Sequence, residues 1–144
     1  MKEVILLVED NENDEVLTIR ALHKNNIVNE VVVARDGEEA LDFLFGTGKY
    51  EGLPRQKPVL TLLDIKLPKV NGIEVLRAIR GDEKLKLLPV VMLTSSNQEK
   101  DIIESYQLGV NSYIVKPVDF NQFSESVKVL GLYWLVLNEK PPVN

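Results

Sequence analysis

With 144 residues and a hydrophobic share of 44%, the chain suits one domain with a single core. A net charge of -5 argues against a nucleic-acid or polybasic membrane surface, and the absence of cysteine excludes disulfides and thiolate metal sites, which fits the cytoplasm. The first apolar run breaks at Glu9, too soon for a signal peptide, and no later run is long enough to span a membrane.

In chain order, strand and helix signals alternate five times. Short Val/Ile/Leu-rich strands are read at about 3–8, 31–35, 59–64, 89–94 and 112–116. Between the first two, the stretch 13–24 carries Leu17, Ala21 and Leu22 at spacing compatible with a helix. A second helix follows from Gly37, Ala40, Leu41 and Leu44, with Asp36 as its cap and Glu39 three residues on. The segment Gly46 to Pro58, with its Gly and Pro residues, reads as a surface loop. Val75, Leu76 and Ile79 mark a third helix, Ile102, Ile103 and Tyr106 a fourth, and Asp119 with Gln122 opens a fifth.

Continuous apolar runs such as Val4 to Val8 suit strands buried on both faces. The fold class is therefore α/β: a five-stranded parallel sheet with helices on both faces, in the usual small-domain order 2-1-3-4-5. Ligands of such sheets bind outside the carboxyl ends of the strands, at the switch between the first and third.

Three acids of the chain gather at that switch. Glu9 and Asp10 close the first strand, and Asp64 closes the third. Two unit charges ~5 Å apart at an effective dielectric of ~20 repel by roughly 3 kcal/mol, so the cluster must hold a proton or attract a cation. Oxygen ligands from a few carboxylates, with remaining positions left to water or phosphate, describe magnesium. The fourth strand ends at Thr94-Ser95-Ser96 and the fifth at Lys116-Pro117, supplying a hydroxyl donor and a mobile ammonium. An acyl phosphate on Asp64 would meet a metal, a hydroxyl and a lysine, which is phosphoryl transfer helped by positioned charge. Each residue also has a plainer use. Asp10 alone could cap the first helix, Asp64 could be a turn residue, Thr94 to Ser96 could cap the fourth helix, and Tyr113 could be strand-edge packing. Joint placement on four strand ends favours the chemical reading. His23, the single histidine, reads as a solvated surface residue, and Gly72 as loop-to-helix punctuation.

These motifs resemble the receiver domain of two-component response regulators: Leu-Val-Glu9-Asp10-Asn11, Leu-Leu-Asp64-Ile-Lys-Leu-Pro68 with Asn71-Gly72, Thr94-Ser95, Ser112-Tyr113 and Lys116-Pro117. The resemblance implies that Asp64 is the phosphoacceptor and that Glu9 and Asp10 hold magnesium with Asp64 and the backbone carbonyl of Lys66. It implies that Thr94 and Tyr113 form a switch, and that a cis peptide before Pro117 aims Lys116 into the site. Lys66 and Ser96, two residues after Asp64 and Thr94, take positions that in receivers flank the hydrolytic water and modulate rate. The implied partner is a sensor histidine kinase, with a histidine phosphotransfer protein as an onward acceptor. A receiver is a phosphoacceptor signalling domain, not an enzyme with a separate substrate.

An aspartyl-nucleophile phosphatase would want a second carboxylate where Lys66 stands, and a flavin carrier would find Glu9-Asp10-Asn11-Glu12 repelling its phosphate. A degenerate receiver acting as a phosphorylation-independent scaffold is the alternative least opposed. Residues 1–130 are expected to form the receiver and 131–144 a C-terminal helix extension and tail, with no separate output domain. The loop from Gly46 to Pro58 and the ending through Tyr133-Trp134 to Pro141-Pro142 resemble single-domain receivers serving phytochrome-type and hybrid sensor kinases. Phe120, Phe123, Val127 and Leu130 supply an inward stripe, after which Tyr133, Trp134 and Leu137 leave an apolar excess. That excess predicts homodimerisation through the fourth helix, fifth strand and fifth helix.

Overall fold

The structure, a computed structural model, describes residues 3–116 and 120–131. Five parallel strands alternate with five α-helices: β1 (Val4–Val8), α1 (Glu12–Lys24), β2 (Glu30–Ala34), α2 (Gly37–Phe45), β3 (Leu60–Leu63), α3 (Gly72–Arg80), β4 (Val90–Thr94), α4 (Glu99–Gln107), β5 (Ser112–Val115) and α5 (Phe120–Gly131). The strand order is β2-β1-β3-β4-β5, as the alternation predicts.

The apolar runs split between two faces by the period of two that a strand imposes. Val4, Leu6 and Val8 of β1 face a core that includes Phe43 and Leu44 of α2 and Val75, Leu76 and Ile79 of α3. Ile5 and Leu7 face the opposite layer with Ala21 and Leu22 of α1. Both faces of β1 are covered, so all five of its residues are buried. Asn25, at the end of α1, donates its side-chain amide to the Ser124 carbonyl at 3.1 Å, tying α5 to this second layer.

Side-chain caps start three helices, and of these the Asp36 cap is the one read from the sequence. Asn11 accepts from Asp14 N at 3.0 Å, Asp36 from Glu39 N at 2.7 Å, and Asn71 from Glu74 N at 3.0 Å. Glu39 reaches back to the amide of Arg35, one residue before the cap. The segment after α2 is more ordered than a plain loop: Gly46 closes the helix at φ +71°, a short 3-10 helix spans Gly48–Tyr50, and Tyr50 meets Phe43 edge-on at 5.3 Å.

Helix α4 forms where Ile102, Ile103 and Tyr106 mark it. Its buried residue is Ser105, while Ile103 and Tyr106 stay 48% and 54% exposed. Glu104 is paired across to Arg77 of α3 at 3.7 Å. The proposed peptide geometry before Pro117, the Asp119–Gln122 start signal, the inward stripe of Phe120, Phe123, Val127 and Leu130, and Tyr133, Trp134 and Leu137 lie outside the described residues and side chains. Among the described residues no helix is long and apolar enough to cross a membrane.

Candidate functional site

Strand register builds the site. Val8 pairs with Leu63, so Glu9 and Asp64 emerge side by side where two buried strands end. The backbone continues one step further on each strand, with Glu9 N donating to Ala34 O at 2.9 Å and Asp64 N to Val8 O at 3.1 Å. Glu9 is 1% and Asp64 6% exposed, whereas Asp10 faces solvent. One carboxylate oxygen from each of the three lies within 4.8 Å of the others. Three hard oxygen donors with no sulfur or imidazole among them fit a hard divalent cation.

The cation supplied by the chain itself is Lys116. It follows the Thr94–Val115 pair of the β4–β5 ladder, and its backbone N donates to Thr94 O at 2.8 Å. Its ammonium lies 2.6 Å from Glu9 Oε1, 2.8 Å from Asp14 Oδ2 and 3.1 Å from Asp64 Oδ2. Burial pulls the pKa of this lysine down, but its bonds to Asp14 and Glu9 and the attraction of Asp64 outweigh that and hold it above the ordinary lysine value. Glu9 goes the other way. Burial, reinforced by repulsion from Asp64, pushes its carboxyl up to about 7 although Lys116 and the Asn11 amide pull downward. The pocket is short of positive charge even with its lysine in place.

The plainer uses of these residues are taken elsewhere or shared. Asn11, not Asp10, caps α1, because the helix begins one residue later than a cap at Asp10 would need. Asp64 does make a local turn bond, accepting from Ile65 N through Oδ1 at 2.7 Å, but its Oδ2 faces Lys116. Gly72 has a second duty beyond punctuation: a Cβ there would collide with the carbonyl oxygen of Asp64, so only glycine lets α3 start this close to the site. The Lys66 side chain is exposed.

On the β4 side, Thr94 is buried and its Oγ1 accepts from Ser96 N at 3.2 Å. Ser96 is a hub. Its carbonyl accepts from the Tyr113 hydroxyl at 2.9 Å, and its own hydroxyl donates to Asp101 of α4 at 2.6 Å. Thr94, Tyr113 and α4 thus meet on the three polar groups of one buried residue. Gln98 N also donates to Ser96 Oγ at 3.4 Å, so the serine does part of a helix cap's work where Gln98 offers none. The Tyr113 pKa is raised, chiefly by burial.

Sequence reasoning missed Asp14. It stands on the first turn of α1, three residues past the Asn11 cap, and an acid that close behind Glu9-Asp10 is the signal that could have drawn it into the acidic set. It also missed that the Asn11 amide donates to Glu9 Oε2 at 3.2 Å.

Residues 5–128 match the model of the response regulator receiver domain. Response regulator Rcp1 of Synechocystis is 43% identical over 133 residues, covering 92% of this chain and 89% of that protein. The phosphorylated cyanobacterial phytochrome response regulator RcpA superposes with a TM-score of 0.89 at 42% identity, covering 99% of this chain and 100% of that one. The Mn(2+)-bound form of response regulator Rcp1 gives 0.87 at 41% identity, covering 97% and 99%.

Proposed function

The chain belongs to the response regulator receiver family of two-component signalling, and on that premise we propose that Asp64 accepts a phosphoryl group from a kinase phosphohistidine in a magnesium-dependent reaction. The observation that carries this reading is the convergence of Glu9, Asp10, Asp64 and the Lys116 ammonium at one sheet edge. In the transfer, the P–N bond to the histidine breaks, a P–O bond to an Asp64 carboxylate oxygen forms, and the imidazole leaves as the neutral base after protonation by solvent. A bound divalent ion would neutralise the phosphoryl oxygens as charge passes between them.

Glu9, Asp10 and Asp64 would hold that ion together with the Lys66 carbonyl; the manganese-bound relative supports a divalent occupant. Lys116 and Thr94 would receive the remaining phosphoryl charge. Thr94 and Tyr113 would report it, since both are tied to Ser96 and, through Ser96, to α4. Lys66 and Ser96 would set the lifetime of the phosphoryl group.

The partner suggested by relatives that are phytochrome response regulators is a phytochrome-type or hybrid sensor histidine kinase, with a histidine phosphotransfer protein as onward acceptor. Residues 1–130 would act as the receiver and 131–144 as an extension, in the cytoplasm. A homodimer through α4, β5 and α5 is supported by the exposure of Ile103, Tyr106 and Val115. The test is a mass gain of one phosphoryl group on Asp64 when a small-molecule phosphodonor and magnesium are added.

A further inference from the structure

Of the three carboxylates on the Lys116 ammonium, two belong to the proposed metal set and one does not. Glu9 and Asp64 would be claimed by a divalent cation, whereas Asp14 sits on the first turn of α1, outside that set. Asp14 is well held. Its backbone N is fixed by the Asn11 cap at 3.0 Å, and its carbonyl accepts from Thr18 Oγ1 at 2.8 Å. Lys116 is only 11% exposed, so an ammonium stripped of carboxylate partners would be left charged and poorly hydrated.

We infer that Asp14 is a positioning residue for Lys116: it is the acceptor the lysine keeps when the metal set closes on Glu9 and Asp64, holding the ammonium beside Asp64 and out of the cation's place. The inference rests on the receiver reading of the site. Four acids then share two cationic positions, one filled by the chain and one by the ion. Without Asp14, Lys116 and the ion compete for the same oxygens.

Magnesium and manganese affinities measured by calorimetry on the full chain test this with a double-mutant cycle. Asp14→Asn should weaken binding about tenfold, the loss expected when a hydrogen bond between charged groups is removed. In a Lys116→Met background the same substitution should change affinity by less than about twofold, because its effect runs through the lysine. Glu12→Gln removes an equal charge from the same exposed helix turn and should also stay within about twofold. An equal fall in both backgrounds, or a fall as large for Glu12→Gln, would reduce Asp14 to a diffuse charge and overturn the proposal. No fall in the wild-type background would overturn it as well. Phosphoryl uptake by the wild type is read separately by mass, so a chain that shows the coupling but takes no label would sink the receiver chemistry without touching the cycle.

Discussion

The Tyr113 hydroxyl donates across 2.9 Å to the carbonyl of Ser96, a residue seventeen positions earlier whose amide is held by Thr94 and whose hydroxyl is held by Asp101. If phosphorylation draws the Thr94 hydroxyl toward Asp64, the Ser96 amide loses its acceptor, and the strain falls on the bonds to Tyr113 and α4. Phosphorylated wild type should therefore show altered amide exchange in Glu99–Gln107. Thr94→Ala should still be labelled but show no such change. Equal responses in the two proteins would break the proposed link.

Ser96→Ala keeps the bonds to Thr94 and Tyr113 but removes the hydroxyl's 2.6 Å bond to Asp101 and the 3.4 Å bond it accepts from Gln98 N. It should loosen the start of α4 by about 1–2 kcal/mol, at a typical net value of about 1 kcal/mol for each hydrogen bond. Faster exchange confined to the first turn of α4, with Asp64 labelling retained, is the expected pattern. Unchanged exchange there would show that Ser96 does not hold the helix.

Glu9 makes the metal-free protein sensitive to pH. Its folded pKa of about 7 lies above the ordinary carboxylate value, so the folded state binds the proton more tightly than the unfolded chain does. That stabilisation is fully present below about pH 4.5 and is lost as pH rises through about 7, with a slope approaching 1.4 kcal/mol per pH unit. Urea unfolding in chelator between pH 5 and 8 should show stability falling with pH, and Glu9→Gln should flatten the fall. Parallel curves for the two proteins would remove Glu9 as its source.

Gly72→Ala should destabilise the fold by roughly 1–3 kcal/mol, because its methyl would meet the Asp64 carbonyl and push α3 from the site. Loss of metal affinity should accompany the lower denaturation midpoint. A variant as stable as wild type would mean the α3 entry turn gives way freely.

For the dimer, sedimentation of wild type against a chain ending at Leu132 separates the apolar ending from the α4–β5 surface. The ending predicts a dimer that the truncation weakens. A monomer at tens of micromolar, with or without phosphorylation, would contradict the assignment, as would a dimer that survives the truncation.

The sheet was legible because Val4 to Val8 and Leu60 to Leu63 have no polar residue to offer solvent except Thr61, so both faces had to be covered. The acids at their ends followed directly. Asp14 was not legible in the same way, since its partner lies 102 residues away and the meeting depends on where β5 sits in the sheet. The exposure of Ile103 and Tyr106 was hidden because helical spacing identifies a stripe without saying which face of the helix is buried; in α4 the buried residue is Ser105. Asn11 displaced Asp10 as the cap by one position, and that single step leaves the Asp10 carboxylate available to the cluster.

The central claim is that Asp64 is the phosphoacceptor and needs a divalent ion to act. Intact-mass and peptide analysis after exposure to a small acyl-phosphate-like donor, with magnesium or with chelator, tests it most directly. The account predicts one added phosphoryl group on Asp64 with magnesium, little with chelator, and none for Asp64→Asn. Labelling of Asp64→Asn at the wild-type level, or labelling of wild type that is indifferent to the metal, would contradict it.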